Sequence, residues 1–263
     1  MAVALLLGSF LLMVVIRVPI ALALVVSSLL TGIYMDVPIS ALSQRMVSGL
    51  NSFSLLAIPF FILAGEIMSE GGISRRLIDL SNVIIGKIRG GLAMVNVMAS
   101  TFFGGISGSA VADVSSIGSV MIPMMNKKGY DKDYSVAVTI SSSAQGVIIP
   151  PSHNMIIYSL AAGGVSVGAL FLGGIIPGIL LGLALMVTTY IIAVKRGYPK
   201  GEEIAKADIP KIVREGFLGL LTAVIIIGGI VSGIFTATES AAIGAAYAFF
   251  ITFFVYREIP LSH

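Results

Sequence analysis

The sequence contains no cysteine and few charged residues, and each absence removes classes of function. Without a thiol, the chain cannot form a disulfide framework, a thiolate metal site or a cysteine nucleophile. Charged residues make up 11% of the 263 residues, whereas a soluble domain has roughly a quarter. The chain also lacks an H-E-x-x-H motif and a pair of aspartates inside an apolar run, so a membrane-embedded hydrolase is disfavoured and we do not expect an enzyme.

Apolar residues dominate what remains. They make up 57% of the chain, and the mean hydropathy is +1.03, which predicts an all-α polytopic membrane protein. The net charge is +3, with a pI near 9.2. Basic residues spread over the segments between apolar runs are typical of membrane orientation, so we expect a lipid bilayer and no nucleic acid as the surroundings.

Eight apolar runs are separated by charges or turn residues, and most are long enough for one membrane helix of about 20 residues. The first run lacks a basic segment before it and a small-residue cleavage site after it, so we interpret it as a retained span and not as a signal peptide. The runs are 2–16, 20–35, 53–69, 91–126, 134–164, 166–194, 214–234 and 238–256.

The segment 70–91 combines apolar and basic residues at helical spacing, which predicts an amphipathic helix in the membrane interface. The other basic clusters lie at Arg17, 127–132, 195–214 and Arg257. Placing all five clusters on the inner side gives a consistent alternation of spans, provided that the run 91–126 enters and leaves on that side.

The run 91–126 contains "GGISGS", and Asp113 is the only charge between Arg89 and Lys127. An arm over 91–103 is only about 20 Å long, short of a hydrocarbon core of about 30 Å. We therefore predict a re-entrant hairpin whose unwound tip, residues 104–109, lies within the membrane. Such backbone must face protein or a polar cavity, because lipid cannot satisfy its hydrogen-bonding groups. Close packing of small residues is the alternative explanation.

The run 134–164 is too long for one untilted span and contains "QGVIIPPSHN". Pro150 and Pro151 cannot donate backbone hydrogen bonds, so we predict a helix broken at this point. Two interrupted elements in tandem are typical of a secondary-transporter binding site.

Four motifs indicate a particular transporter family. They are "PFFILAGEIMSEGGISRRL", "FFGGISGSAVADVSSIGSVMIPMMNKKGYDKDYSVAV", "IIPPSHNMIIYSLAAGG" and "TATESAAIGAAYAFF". Together they resemble the large membrane subunit of the tripartite ATP-independent periplasmic (TRAP) transporters. The resemblance implies sodium-coupled uptake of organic acid anions, such as C4-dicarboxylates or sugar acids, by an elevator motion in the bacterial inner membrane. It also implies a four-helix small membrane subunit and a periplasmic binding protein as partners, with Na+ as the coupling ion and no cofactor.

The resemblance also implies a site where the hairpin tip faces the helix break. It assigns Na+ to Ser107, Ser109 and Gly146. The whole set of expected site residues is Ser107, Gly108, Ser109, Asp113, Gly146, Pro150, Pro151, Ser152 and Asn154.

Some of these residues have alternative roles. Asp113 lies about one helical turn beyond Ser109 and could coordinate a cation or simply bond to neighbouring hydroxyls. Asn154 would suit a cap on the second half of the broken helix, and Glu239 follows Thr236 at capping-box spacing. His153 could meet substrate or backbone, and Glu66 is expected to extend toward the interface.

Members of the family have two inverted repeats, each with its own hairpin, whereas the last two apolar runs here repeat the first two and no second hairpin follows. We therefore expect a fragment or one part of a split transporter, with a non-transporting scaffold subunit as the alternative. The expected divisions are N-terminal scaffold helices over 1–52, a third span and arm helix over 53–90, a transport-type unit over 91–194 and the start of a second repeat over 195–263.

Overall fold

The computed structural model describes residues 1–201 and 204–258, and these residues contain no β-strand beyond an isolated bridge between Arg89 and Lys200. Residues 202–203 and 259–263 of the predicted second repeat lie outside the described residues. The helices are α1 (Ala2–Val15), α2 (Ile20–Tyr34), α3 (Ile39–Leu50), α4 (Ala57–Glu70), α5 (Ile73–Ile85), α6 (Gly91–Ser107), α7 (Ala110–Lys127), α8 (Lys132–Ser143), α9 (Gln145–Ile148), α10 (His153–Ala161), α11 (Val167–Lys195), α12 (Ile209–Val231) and α13 (Ala237–Phe250).

Two short elements extend this set. A 3-10 turn over Phe53–Leu56 leads into α4, and a π-helix over Ile251–Tyr256 continues α13. With these extensions, four helical segments are long and apolar enough to cross a membrane, and α1, α2 and α6 are shorter apolar helices. The prediction of an all-α polytopic membrane protein is confirmed. The four long segments are Phe53–Glu70, Val167–Lys195, Ile209–Val231 and Ala237–Tyr256.

The chain divides into two compact units, and the first covers Met1–Ser52. Within it α1 packs on α2, and residues with positive φ, Arg17 and Asp36, follow these two helices. The helix α3 lies between the second and third apolar runs. Ser, Gln and Arg interrupt its apolar residues, so hydropathy alone does not mark this segment, although its apolar residues recur at helical spacing.

The second unit, Phe53–His263, contains two apolar clusters. The larger surrounds α6 and includes the fully buried Phe103 and Ile106, together with side chains from α5, α7 and α8. The smaller joins α4 to α10–α13 around Phe61, Phe171 and Ile226. The α4 helix packs along α13, and Thr238 Oγ1 donates a hydrogen bond to the Phe53 carbonyl at 2.9 Å.

Helix starts follow local sequence rules. Thr236 and Glu239 form the predicted capping box, in which the Glu239 backbone N–H donates to Thr236 Oγ1 at 3.3 Å and the Thr236 backbone N–H donates to Glu239 Oε2 at 2.8 Å. This reciprocal pair satisfies two N–H groups that α13 cannot pair internally. The structural role expected for Glu239 is confirmed.

The amphipathic segment is helical over Ile73–Ile85, and most of its apolar face packs against protein. In α5, Ile73, Leu77 and Leu80 are buried, because α5 packs against α6 and α12. Ile84 and Ile88, farther along the segment, are 56% and 37% exposed. The interfacial position of this helix remains a prediction, and the structure adds that protein covers the first three apolar residues, since periodicity identifies an apolar face without identifying what covers it.

Candidate functional site

The tip between α6 and α7 is shorter than the sequence predicts. Gly104, Gly105 and Ser107 belong to α6, so the expectation of an unwound segment over 104–109 was wrong, and only Gly108 and Ser109 are non-helical. Gly108 N–H donates to the Gly104 carbonyl at 3.0 Å and closes the last turn of α6. One left-handed residue, Gly108 at φ 62°, then reverses the chain.

Ser109 starts the return arm. Its backbone is extended, and its Oγ accepts a hydrogen bond from Ala112 N–H at 3.3 Å, as expected of an N-cap. The α6 helix has 17 residues, about 25 Å of helix, which is still below the roughly 30 Å of a hydrocarbon core. The re-entrant depth of the hairpin remains a prediction.

The predicted broken helix is present in three pieces. The chain runs through α8 and the single turn α9, becomes extended at Ile149 and resumes as α10. The Pro150–Pro151 peptide bond is cis. Ser152 occupies the N-cap position of α10, but its Oγ donates to the Val147 carbonyl at 2.8 Å. Ser152 therefore ties the two sides of the break together.

The hairpin tip and the helix break pack backbone against backbone. A Cβ on Gly104 would lie 2.6 Å from Gly146 Cα, and a Cβ on Gly108 would lie 2.6 Å from the Pro151 carbonyl oxygen. A Cβ on Gly146 would lie 3.5 Å from the Ser109 carbonyl oxygen. Of the expected site residues, the structure thus brings together Ser107, Gly108, Ser109, Gly146, Pro150, Pro151 and Ser152.

Asp113 is fully buried one turn into α7. Neither of its carboxylate oxygens has a hydrogen-bond partner among the described residues. Ser100 on α6 is its polar neighbour, but the two side chains do not meet in hydrogen-bonding geometry, and the Ser100 hydroxyl is likewise without a partner there. An ionised carboxylate in such a place is costly unless a proton or a cation compensates its charge.

Asn154 does not join this group. It is exposed, and α10 begins at His153, so Asn154 lies inside the first turn and does not cap the helix. The cap expectation was wrong because the extended backbone continues through Ser152, which places the helix start one residue before Asn154. A site role for Asn154 remains a prediction that this geometry does not support.

A cavity of about 260 Å³ lies beside the tip, between α4 and the first turns of α7. Its wall includes Ser107 and Ser109 from the predicted site and His153 from α10. It also includes Ser69 and Ser116, whose hydroxyls hydrogen-bond to each other. Sequence reasoning missed these two serines, because the contact joins residues 47 positions apart, in two different motifs.

Two further links that sequence reasoning missed fix the broken helix against the hairpin. Gln145 is fully buried, and its Oε1 accepts a hydrogen bond from Thr101 Oγ1 on α6 at 2.8 Å. Asn96 Nδ2 donates to Thr139 Oγ1 on α8 at 2.7 Å. Polar side chains inside apolar runs were the available signal, since they need partners when they are buried.

Hydroxyl, carbonyl and carboxylate oxygens are the ligands that hard cations prefer, so the donor set around Ser107, Ser109 and Asp113 suits such an ion. Over residues 1–201 and 204–258, no group of three His, Cys, Asp or Glu side chains could hold a metal. A cation here would therefore rest mainly on hydroxyl and backbone oxygens.

A G-x-S-x-G pattern over Gly164–Gly168 could suggest a serine nucleophile. The structure assigns Ser166 a different role, because its Oγ caps α11 by accepting from Ala169 N–H at 3.3 Å. The strand that precedes a nucleophile elbow is also missing, since the segment before it is α10. This serine is a helix cap.

The chain matches a family model over residues 7–263, and that family is described as "Tripartite ATP-independent periplasmic transporter, DctM component". Curated relatives agree with this match. The uncharacterized protein YgiK of Salmonella typhimurium is 46% identical over 97% of this chain and 59% of its own length.

Two relatives come from one organism, Vibrio cholerae. The C4-dicarboxylate TRAP transporter large permease protein DctM is 43% identical over 98% of this chain and 57% of its own length. The sialic acid TRAP transporter large permease protein SiaM is 43% identical over 84% of this chain and 51% of its own length. The chain thus spans about half the length of the curated relatives it matches, and identity does not distinguish between the two named substrates.

Proposed function

The chain belongs to the DctM family of tripartite ATP-independent periplasmic transporter components, which are permeases and not enzymes, and we propose that it couples sodium to the uptake of organic acid anions. The relatives' names point to C4-dicarboxylates and sialic acid, and we extend to this chain the common class, organic acids. It acts in the bacterial inner membrane as part of a large permease. A small membrane subunit and a periplasmic binding protein are its proposed partners.

The observation that best supports this function is the junction of the hairpin tip with the helix break. Gly104 faces Gly146 and Gly108 faces Pro151 with no room for a Cβ. The second of these contacts joins the non-helical residue of the tip to the non-helical backbone of the break. Broken helices that meet in this way are the usual construction of ion and substrate sites in secondary transporters.

Two helix N-termini converge on this junction. The α7 helix begins at Ala110 beside the tip, and a Cβ on Gly108 would lie 3.2 Å from the His153 backbone nitrogen at the start of α10. Unpaired N–H groups and the helix dipole make both ends favourable for an anion. We assign the substrate carboxylate to this positive region.

The coupling ion is assigned to the oxygen atoms at the tip. Ser107 and Ser109 offer hydroxyls, and the Gly146 backbone lies against the Ser109 carbonyl. Asp113 compensates the charge from one turn away. A cation bound there would hold the tip against the break, so that ion and anion bind together before an elevator motion carries both across the membrane.

The test uses the purified full chain in proteoliposomes, with uptake of radiolabelled succinate and D-gluconate measured with and without an inward sodium gradient. We expect sodium to stimulate uptake of at least one acid. Ser109→Leu should abolish the stimulation, because an apolar side chain removes a ligand and fills the tip. Ser119→Leu, on the exposed side of α7, is the matched control and should retain it.

Uptake that does not respond to sodium would contradict the coupling. A chain that shows neither uptake nor sodium-stimulated binding of either acid would favour the alternative of a scaffold subunit. Equal effects of the two leucine variants would show that the tip has no special role.

A further inference from the structure

A groove runs between α8 and α11, away from the hairpin tip. Its polar part, a cavity of about 550 Å³, lies between the start of α8 and the end of α11. Its apolar part, about 140 Å³, extends between the same two helices and reaches α6. Tyr134 and Ala137 line both parts, so the two parts adjoin. From Arg196 at the end of α11 back to Leu185, the groove extends for about 16 Å.

The polar part carries charges of both signs in equal number. Its charged side chains are Asp131, Lys132, Asp133 and Arg196, so the cations balance the anions. Complementary charges select a partner and suppress one of like charge. A wall of this kind favours a ligand that carries one positive and one negative group over a ligand with a single charge.

Arg196 keeps donors that its own contacts do not use. Its hydrogen bonds to Asp131 and Tyr198 both come from Nη1. Its Nε and Nη2 have no partner in the part of the chain that the structure describes, and the side chain is 50% exposed. The fork of guanidinium donors matches the oxygens of a phosphate group. The contact with Asp131 therefore orients Arg196 and leaves it able to bind a phosphate.

Lys132 and Asp133 supply a second pair of opposite charges. Both are exposed in the first turn of α8, and neither forms an ion pair within residues 1–201 and 204–258. The Lys132 ammonium can add to the charge that faces a phosphate. The Asp133 carboxylate can accept hydrogen bonds from a primary ammonium, whereas a trimethylated ammonium has no N–H to donate.

The apolar part presents hydrocarbon. Two polar groups in its wall are already paired, because Tyr134 Oη donates to the Thr189 carbonyl at 3.2 Å and Thr188 Oγ1 donates to the Ala184 carbonyl at 2.8 Å. An acyl chain would remove apolar surface of this wall from contact with other surroundings and gain packing. The apolar side chains of the wall are Val97, Ala137, Val138, Leu185 and Ile192.

The aromatic side chains place the division between the two parts. Tyr134 lines both parts, and its ring lies against Tyr198 at 5.2 Å and stacks with Tyr130 at 6.4 Å. Tyrosine is enriched where the hydrocarbon of a bilayer meets its headgroups. The charged part of the groove is thus expected at headgroup level, with the apolar part in the hydrocarbon.

We propose that this groove binds a zwitterionic phospholipid with a primary amine in its headgroup, as in phosphatidylethanolamine. The phosphate lies against Arg196 and Lys132, the ammonium against Asp133, and one acyl chain along the apolar part. The bound lipid contacts both α8 and α11. The site is separate from the hairpin tip, and the inference does not rest on the proposed function.

The test is native mass spectrometry of the full chain in detergent, titrated with phosphatidylethanolamine, phosphatidylcholine or phosphatidylglycerol of identical acyl chains. We expect the ethanolamine lipid to bind about tenfold more tightly than either of the others. Asp133→Asn should abolish the preference over the choline lipid and strengthen binding of the glycerol lipid, because the wall becomes positive. Asp208→Asn, at the start of α12 and outside both parts of the groove, is the control and should preserve the preference.

A second pair of variants tests the location. Ala137 is exposed and lines both parts, so Ala137→Trp should block the groove without disturbing a buried position and weaken binding of the ethanolamine lipid about tenfold. Val136→Trp, at the neighbouring exposed position and in neither wall, is the control and should bind as wild type does. Glycerophosphoethanolamine, the same headgroup without acyl chains, should not compete at equal concentration.

Equal binding of the three lipids would overturn the headgroup assignment, and equal effects of the two tryptophan variants would overturn the location. Competition by glycerophosphoethanolamine would overturn the role of the apolar part. A second copy of the chain in the groove would appear as a dimer that Ala137→Trp dissociates, and that result would also overturn the proposal. Sodium-stimulated uptake is measured separately, so none of these outcomes affects the proposed function.

Discussion

The junction at the hairpin tip differs from the junction between Asp131, Arg196 and Tyr198 in how its polar groups are satisfied. At the tip, backbone meets backbone across glycines, and Asp113, Ser100 and His153 keep polar atoms without partners in the described chain. In the second junction, Tyr198 Oη donates to Asp131 Oδ2 at 2.6 Å and Arg196 donates to the same oxygen at 2.7 Å.

The aromatic surroundings reinforce this difference. The Tyr198 ring stacks on Tyr130 at 4.4 Å and lies 5.2 Å from Tyr134, so the second junction is closed by large rings. In the aromatic junction, the rings contact one another and the charges are paired, which favours a single geometry. At the tip, the glycines and the unpaired oxygens leave polar groups available to a ligand. We infer that the aromatic junction fixes the exit of α7 and the end of α11, while the tip junction is the part built for binding.

The largest effect should come from breaking the glycine contact at the tip. Gly104→Ala places a Cβ 2.6 Å from Gly146 Cα, and backbone must move to make room. We expect a loss of about 3 kcal/mol in stability, together with loss of sodium-stimulated binding. Thermal unfolding in detergent measures the loss of stability.

Gly173→Ala is the matched control for that prediction, because a Cβ on this α11 glycine meets nothing within 4 Å. It should be neutral or stabilising, since alanine is the better helix former. Equal destabilisation by both variants would show that the tip contact is not special.

A smaller effect should follow from opening the aromatic junction. Tyr198→Leu removes two ring contacts from a residue that is 5% exposed. We expect a loss of about 2 kcal/mol in stability and little change in sodium dependence. This result would show that the aromatic junction contributes to stability and not to ion binding. Tyr190→Leu, at an exposed position on α11, serves as the control. A change in sodium affinity with Tyr198→Leu would contradict the division between the two junctions.

Asp113→Asn tests the comparison at the tip junction, where the ion is proposed to bind. The substitution keeps the shape and removes the charge at a fully buried position. Wild type should gain about 1.4 kcal/mol of stability when sodium is raised to ten times its dissociation constant. The variant should lose that gain. Unfolding temperatures across a sodium titration measure it, and an unchanged titration would exclude Asp113 from ion binding.

The smallest effect should be the pH response of the aromatic junction. The Tyr198 hydrogen bond, and then Arg196, lower the pKa of Asp131 below its ordinary value of 3.8. Since the folded state favours the ionised form, this contribution is complete above 3.8 and is lost as pH falls through the lower folded pKa. Unfolding temperatures of wild type and Asp131→Asn should therefore converge in acid. A constant difference at all pH values would contradict the assignment.

Much of the helical plan could be predicted because membrane helices leave long apolar runs. The break at Pro150–Pro151 and the capping box at Thr236 were equally visible, since each depends on residues adjacent in sequence. The extent of the non-helical tip was not visible in the sequence. Glycine permits a left-handed turn without requiring one, so only the structure shows that Gly108 alone adopts it within the tip.

By itself, the sequence determined that this protein is an all-α membrane protein with a hairpin and a broken helix, because hydropathy, proline and capping chemistry act locally. Tertiary structure decided that Gly104 lies on Gly146, that Ser69 meets Ser116 beside the tip, and that the apolar residues of α5 face protein. These contacts join residues far apart in the chain. Their formation depends on which helix faces pack together, and side-chain periodicity records that a face is apolar but not which neighbour covers it.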